Sequence, residues 1–399
     1  MKEPEASKSL RFTLLSLSFF GVSLTFTIFP LLILPIEESL NISHSLAGLI
    51  YTIMFIASAV GRFTESFGAD QIGRDVFIYY PGYLIVAGAT IFALSPTYWL
   101  LVLGALLMGL GNGLFIPAGF AAVSELFPNE RGKFIGLYDS IFPLSALGAY
   151  AVTSIGTLLG SWRFAVGLLG IYLFFITMGL YLIQGPPARN DEGSSVESFS
   201  LTDQVKEAIK KAKNSPVFLK MVTLIIPVSI FAKGVVNFIP AYLIQARGLS
   251  QGLANLLYIV FMGLIIPGKM ISGRALDRKG ARWTFLFVIG FILAGFTLFS
   301  QIPGLWAIGV GIFLVAPGRG GIYTTMHSHL LDKLPKTSVN LLYGLFMVSL
   351  SVFGSIGPGL VGILIDNIGF RLSFAVLLFV VLFTLPLVLS IDKKEESPT

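Results

Sequence analysis

Twelve long apolar stretches follow one another along the chain, and their length is the feature that most restricts the fold. A helix needs about 20 mainly apolar residues to cross ~30 Å of hydrocarbon. The stretches are about twice as long as a β-strand, rich in glycine and without period-two alternation, which excludes strands. The sequence therefore predicts an all-α integral membrane protein with twelve transmembrane helices, numbered as spans 1 to 12: 11–34, 46–67, 76–94, 97–121, 134–158, 164–184, 217–243, 253–273, 283–301, 304–326, 339–364 and 370–391.

The composition agrees with a surface that faces lipid. Charged residues make up 12% of the 399 positions, whereas soluble domains carry roughly 25%. We therefore expect a multi-pass protein of the cell membrane, either the inner or the plasma membrane. The chain has no cysteine, which excludes disulfides, thiolate metal sites and cysteine nucleophiles.

Basic residues predict the orientation, because cytoplasmic loops of membrane proteins carry an excess of lysine and arginine. If both termini are cytoplasmic, 20 of the 27 basic residues lie in cytoplasmic loops and tails, four lie within spans, and three lie outside. The opposite topology would invert that ratio. The sequence therefore predicts cytoplasmic N- and C-termini.

One long connection divides the spans into two sets of six. We expect an N-terminal six-helix bundle at 1–184, a cytoplasmic linker at 185–216 and a C-terminal six-helix bundle at 217–399. In the linker, apolar residues from Leu201 to Ala212 recur at helical spacing among several lysines. This pattern predicts an amphipathic helix on the membrane surface, and a solvated linker is the alternative.

The two halves align with each other at an offset of 207 residues. The offset pairs several landmarks: Asp70 with Asp277, Gly73 with Gly280, Glu125 with Asp332, Pro128 with Pro335, and the motif GLGNG (109–113) with APGRG (316–320). Transporters built from repeated halves commonly bind substrate at the repeat interface, and they alternate access by rocking one half against the other. The repeat therefore favours a secondary transporter.

Several loops carry recognisable motifs. The loop after span 2 reads GADQIGR (68–74), the loop after span 8 reads GRALDRKGAR (273–282), spans 4 and 5 are joined by LFPNERG (126–132), and WRF (162–164) precedes span 6. With the twelve spans and the repeat, these motifs resemble the major facilitator superfamily over essentially the whole chain. The resemblance implies two pseudo-symmetric six-helix bundles.

The same resemblance implies that these loops form a cytoplasmic latch, in which loop charges pair with charges at the ends of other helices. The residues at the matching places are Asp70, Gly73, Arg74, Glu125, Arg131, Gly273, Asp277, Arg278, Gly280, Arg282 and Asp332. The first loop departs from the family pattern at Ser66, Gln71 and Asp75, which predicts a weaker latch there. Ordinary positive-inside charge is the alternative interpretation.

Ionisable side chains within spans are candidates for function, because burying a charge in the membrane is costly unless it is paired or hydrated. The basic ones are Arg62, Lys233, Lys269 and Arg319, and the acid is Asp139, with Glu65 close enough to Arg62 to be its partner. Arg62 and Lys269 lie eight residues before the loop aspartates, at equivalent places in the two halves. Four bases against one or two acids predict binding of an anionic solute, which Arg62 and Lys269 would clamp.

Structural interpretations of these charges remain open. Arg62 and Lys269 can extend to the membrane interface, Arg62 can pair with Glu65, and Arg319 can pair permanently with Asp139. Matched bases in spans 2 and 8 also resemble the nitrate/nitrite branch of the superfamily, although this chain lacks that branch's glycine-rich stretch with asparagine. Small carboxylates, phosphate-like anions and cyanate-like anions therefore remain open.

Asp139 is the candidate for proton coupling, because a carboxyl in an apolar helix can exchange a proton as access alternates. The basic residue that the family carries in span 4 is missing, since Ala105 occupies its place. The glycine–proline element that exchangers of the family carry in span 5 is incomplete, which disfavours drug export.

The sequence thus predicts a secondary transporter of a small solute, favouring an anion. Its alternatives are a drug or metabolite efflux carrier of the same superfamily and, in another class, a transport-derived membrane sensor. No Walker loop or metal-ligand spacing is present, so no enzyme activity, cofactor or metal is expected. We expect a small-molecule substrate and the lipid bilayer as partners, no nucleic acid, and function as a monomer.

Overall fold

The computed structural model describes residues 5–184, 210–334 and 339–391, and the regular elements within these ranges are helices. The predicted all-α fold is therefore confirmed. The chain divides into two compact units, Met1–Ser195 and Val196–Thr399. Most of the predicted amphipathic linker helix lies outside the described residues, although residues 210–213 are helical.

The first unit contains eight helices among its described residues. They are α1 (Glu5–Thr27), α2 (Phe29–Leu40), α3 (His44–Ile72), α4 (Arg74–Leu94), α5 (Tyr98–Leu126), α6 (Arg131–Asp139), α7 (Ile141–Leu158) and α8 (Trp162–Gln184). Helices α1 and α2 form span 1, α3 to α5 form spans 2 to 4, α6 and α7 form span 5, and α8 forms span 6.

Besides the helical residues 210–213, the described part of the second unit contains five α-helices. They are α9 (Pro216–Ala241), which continues as a π-helical turn (Tyr242–Ala246), α10 (Gln251–Gln301), α11 (Leu305–Lys333), α12 (Val339–Leu382) and α13 (Leu385–Leu389). Helix α9 forms span 7, α10 forms spans 8 and 9, α11 forms span 10, and α12 with α13 forms spans 11 and 12.

Two of these helices are too long for a single membrane crossing. Helix α10 has 51 residues and α12 has 44, and at 1.5 Å per residue each exceeds twice the ~30 Å hydrocarbon core. Each is divided by a glycine with positive φ, Gly280 (φ 76°) in α10 and Gly369 (φ 73°) in α12. Ten helical stretches in the described chain are long and apolar enough to span, and counting α10 and α12 twice accounts for the twelve predicted spans.

We call the loops after spans 2 and 8 (residues 68–74 and 273–282) the signature loops. On the opposite side of each unit, an arginine caps a helix end, and the two helix ends are equivalent. Arg163 Nη2 donates to the main-chain oxygen of Ser95 at 3.0 Å, beyond the end of span 3. Arg247 Nη2 donates at 2.6 Å to the oxygens of Phe299 and Ile302, at the end of span 9. Ile302 follows Ser95 by the offset of 207, so equivalent carbonyl ends receive a positive charge, as the helix dipole favours.

Within each unit, glycines bring the helix backbones into contact at crossings related by the same offset. A β-carbon at Gly113 in span 4 would overlap the main-chain oxygen of Ser58 in span 2. At the equivalent place, a β-carbon at Gly320 in span 10 would overlap the oxygen of Ile265 in span 8. The offset also relates the contacts of Gly61 with Leu110 to those of Gly268 with Pro317, and the contacts of Gly104 with Gly88 to those of Gly311 with Gly295. These close crossings determine which residues of the facing helices lie beside each other.

Candidate functional site

Arg62 lies on span 2 directly after a close helix crossing. The preceding glycine, Gly61, packs against the backbone of span 4, where its β-carbon would lie 2.5 Å from the oxygen of Leu110. The Arg62 side chain is half-buried, and its Nε atom is buried without a hydrogen bond to any described residue. Arg62 therefore holds a donor that an oxygen of a solute, lipid or water can use.

Lys269 lies at the equivalent place in the second unit. It follows Gly268, whose β-carbon would overlap the oxygen of Pro317 in span 10. Lys269 is also half-buried, and its main-chain nitrogen would lie 3.2 Å from a β-carbon at Gly320. The two bases predicted from the repeat therefore occupy the same position in two copies of one helix crossing.

Arg319 lies one residue before Gly320, so the crossing of spans 8 and 10 brings it next to the backbone at Lys269. Arg319 also borders a cavity of about 10 Å³, whose other lining residues are apolar side chains of spans 7 to 10. That volume is about the size needed for one water. Tyr258 and Tyr323 lie within electrostatic range of the guanidinium. The Arg319 guanidinium thus has two phenols in its surroundings.

Asn112 occupies the position in the first unit that Arg319 occupies in the second, and it makes different contacts. Its amide nitrogen donates to the oxygen of Val22 at 3.0 Å and to Thr25 Oγ1 at 3.4 Å. Its Oδ1 accepts from Ser58 Oγ at 3.2 Å. Asn112 is fully buried, so it joins spans 1, 2 and 4. The shared position is neutral and structural in the first unit, and charged in the second.

Lys233 lies in the middle of span 7 and extends over a glycine of span 11. A β-carbon at Gly354 would lie 2.8 Å from Cδ, 2.8 Å from Cε and 2.9 Å from Nζ of Lys233. The side chain is half-buried. The sequence did not indicate this contact, because spacing along one span does not show which helix faces it.

Asp139 lies at a break in span 5. Helix α6 ends at Asp139 and α7 begins at Ile141. Pro143 has no N–H to donate to the carbonyl of Asp139, four residues earlier, so the regular hydrogen-bond ladder is interrupted there. The Asp139 side chain is half-buried. The candidate proton site is therefore at a discontinuity of the helix.

The signature loops turn at equivalent glycines, Gly73 with φ 90° and Gly280 with φ 76°. Only glycine adopts such a conformation without strain. In the second loop Asp277 and Arg278 are exposed and Gly273 and Arg282 are half-buried. The side chains of Asp70 and Arg74 lie outside the described part of the chain.

Other predicted latch residues lie at helix ends. Glu125 and Asp332 are exposed in the last turns of spans 4 and 10. Arg131 is the first residue of α6, the first helix of span 5, and its Nε donates to the main-chain oxygen of Ser124 at 3.3 Å. That hydrogen bond joins the ends of spans 4 and 5.

Two tyrosine hydroxyls donate to main-chain oxygens of neighbouring spans. The Tyr51 hydroxyl donates to the main-chain oxygen of Phe26. The Tyr242 hydroxyl lies 3.1 Å from the oxygen of Phe299 and 3.0 Å from that of Ser300. Sequence reasoning missed the partners Thr25 and Ser58 of Asn112, because serine and threonine in a span carry no signal without knowledge of the helix that faces them.

Comparison with known proteins decides the family. The chain matches the model of the Major Facilitator Superfamily over residues 13–346 and 228–399, which together cover most of the chain. The chain belongs to the Major Facilitator Superfamily. The resemblance predicted from the loops is confirmed, and relatives that the chain matches are named as transporters.

Relatives of this superfamily member transport different solutes. It is 27% identical to a galactose-proton symporter of Escherichia coli over 146 residues, which cover 36% of this chain and 31% of the symporter. The match therefore spans about a third of that protein's length. It is 23% identical to a phosphoglycerate transporter protein of Salmonella typhimurium, covering 86% of this chain and 80% of that one. It is 24% identical to a hexuronate transporter of Bacillus subtilis, covering 84% and 82%.

Solved structures of the superfamily share the fold of this member. A bacterial homologue of the human lysosomal transporter Spinster, inward-facing and unoccupied, gives a TM-score of 0.80 at 14% identity and covers 97% of both chains. A D-xylose-proton symporter gives a TM-score of 0.76 at 16% identity, covering 97% of this chain and 99% of the other. At these identities the likeness concerns the fold alone.

Proposed function

We propose that this superfamily member carries a small anion by alternating access, and that Arg62, Lys233, Lys269 and Arg319 bind it. The observation that carries the proposal is the matched position of Arg62 and Lys269, each half-buried and directly after a glycine crossing. A helix crossing repeated in both halves needs no charge for packing. A base at the same place in both copies is explained by a solute that needs positive charge.

Two relatives that align over more than four-fifths of this chain support an anion. Their names state phosphoglycerate and hexuronate as solutes, and both compounds carry negative charge at neutral pH. A galactose-proton symporter, which names a neutral solute, aligns over 36% of the chain. A relative whose name gives proline and betaine as solutes, which have no net charge, also aligns over 81% of the chain. The choice of an anion therefore rests on the excess of bases within the spans and not on coverage.

We further propose that both termini are cytoplasmic and that the signature loops form a latch on that side. The distribution of lysine and arginine supports the orientation, and the matched turns at Gly73 and Gly280 support equivalent loops. Surface ion pairs contribute only ~0–1 kcal/mol each, which suits contacts that open in every cycle. Labelling of a cysteine at position 393 from outside intact cells would contradict the orientation, and unchanged turnover in Asp277→Asn would contradict the latch.

Uptake into proteoliposomes of the full chain tests the anion assignment. The panel contains 3-phosphoglycerate, glucuronate, acetate and nitrate as anions, galactose as a neutral solute and tetraphenylphosphonium as a cation. We expect at least one anion to be taken up, with no uptake of the cation. Uptake of galactose alone would replace the anion assignment by neutral sugar transport, and preferred uptake of tetraphenylphosphonium would refute it.

Asp139 is expected to couple transport to protons, so Asp139→Asn should remove the response of uptake to a proton gradient. Asparagine keeps the shape and cannot release a proton, whereas Asp139→Glu keeps a carboxyl at the break in span 5. We expect the ratio of uptake with and without an inward proton gradient to fall to about one in the asparagine variant and to stay above one in the glutamate variant. An unchanged ratio in Asp139→Asn would eliminate this residue.

A further inference from the structure

The aliphatic end of Lys233 lies directly on the backbone of span 11. A β-carbon at Gly354 would be within 2.9 Å of Cδ, Cε and Nζ of this side chain, closer than β-carbons are found to other atoms. Gly354 is itself buried. The side chain can therefore lie where it does only because residue 354 has no side chain.

The backbones of the two helices are also in contact one turn away, at a second pair of glycines, whereas the end of a lysine side chain can rotate. A β-carbon at Gly357 would lie 2.6 Å from the oxygen of Ile230 and 2.9 Å from the nitrogen of Gly234. In return, a β-carbon at Gly234 would lie 2.8 Å from the oxygen of Gly357. Such close backbone contact is typical of helix pairs in membranes. A methyl group at residue 354 would therefore displace Lys233 and leave the helices in place.

The first unit has no counterpart of this arrangement. At the offset of 207 residues, Phe26 stands for Lys233 and Leu147 stands for Gly354. Spans 1 and 5 are joined there by a hydrogen bond between Thr27 Oγ1 and Ser145 Oγ at 2.9 Å. At this pair of equivalent positions, the second unit has a lysine packed on a glycine and the first unit does not. The helix packing that the two units share therefore does not require it.

We propose that Gly354 is a positioning residue, which fixes the Lys233 ammonium against span 11 and so sets the place of that charge along span 7. The inference rests on the proposed function, in which Lys233 binds the anion. In this proposal Gly354 makes no contact with the solute. It acts by leaving room for this position of the lysine side chain, so its effect on transport must disappear when the lysine is absent.

The test compares Gly354→Ala with Gly344→Ala, a glycine of the same helix with nothing within 4 Å of its β-carbon. The first readout needs no solute: the rate at which acetic anhydride acetylates Lys233 in the purified full chain, measured by mass spectrometry. We expect Gly354→Ala to raise that rate by ~3-fold or more, because the amine leaves its contact with span 11, and Gly344→Ala to leave it unchanged. An unchanged rate in Gly354→Ala would overturn the positioning role.

Transport gives the second readout, as a double-mutant cycle. For whichever of 3-phosphoglycerate and glucuronate is carried, Gly354→Ala should raise KM by ~3- to 10-fold with little change in kcat. In a Lys233→Met background, Gly354→Ala should have no further effect. Equal KM increases in both backgrounds would overturn the proposal. A changed acetylation rate without uptake of any of the four anions of the panel would keep Gly354 as a positioning residue and refute the anion assignment instead.

Discussion

Replacing Arg62 by glutamine is expected to lower kcat/KM for the transported anion by ~30-fold or more, and Lys269→Gln should have an effect of the same order. Loss of one partner of a buried, hydrogen-bonded charge pair costs about 2–5 kcal/mol, and 1.4 kcal/mol corresponds to about tenfold. Arg62 has a buried Nε without a hydrogen bond to any described residue, so its donor is available to a bound oxyanion. Initial uptake rates in proteoliposomes measure the loss.

Two further variants separate binding from general charge effects. Arg62→Lys keeps the charge and should recover part of the rate, although it lacks the planar donors of arginine. Lys133→Gln removes a base that lies at the surface and contacts Glu130 at 2.9 Å, so it should transport like the wild type. If Arg62→Gln and Lys269→Gln also match the wild type, their side chains extend to the membrane interface and the anion assignment loses its main support.

The architecture could be predicted from the sequence because the membrane leaves few choices. A stretch of about 20 apolar residues must hydrogen-bond its own backbone in lipid, so spans can be counted without knowledge of their neighbours. The offset of 207 residues was equally visible, since it relates motifs along one chain. It also predicted that Arg62 and Lys269 take equivalent places, and the contacts of Gly61 and Gly268 agree with that placement.

The partners of polar side chains could not be predicted, because they depend on which helix faces which. Asn112 and Arg319 occupy one position of the repeat, yet Asn112 joins spans 1, 2 and 4 by hydrogen bonds while Arg319 borders a cavity. Similarly, the contact of Lys233 with Gly354 joins residues more than a hundred positions apart. Spacing within one helix contains no information about either arrangement.

Asn112 and Arg319 occupy one position of the same helix packing, with a structural role in the first unit and a proposed binding role in the second. Glycines on both sides of this position, Gly111 and Gly113 in span 4 and Gly318 and Gly320 in span 10, make the backbone contacts that the two units share. Because these glycines fix the crossing, the residue between them can change from amide to guanidinium without changing the packing. The charge proposed to bind an anion therefore lies at a position that the first unit uses for the hydrogen bonds of Asn112.

Gly113→Val and Gly320→Val are expected to destabilise the protein severely, because both glycines lie at the helix crossing that the two units share. In each case the new side chain would begin with a β-carbon that overlaps a main-chain oxygen of the facing helix, that of Ser58 or of Ile265. Main chain cannot rotate away as a side chain can. We therefore expect a cost above the ~1–3 kcal/mol typical of overpacking, with low yields of monodisperse protein and a clearly lower Tm in detergent.

Gly309→Val and Gly167→Val are the matched controls, because nothing lies within 4 Å of a β-carbon at either glycine. Gly309 lies in the same helix as Gly320, so this pair compares two positions of one span. Valine at an open helical position should change the Tm little, since it removes the conformational freedom of glycine and meets no neighbour. Equal Tm values for Gly320→Val and Gly309→Val would show that spans 8 and 10 do not touch at this crossing. The position of Lys269 and Arg319 beside the crossing would then be wrong.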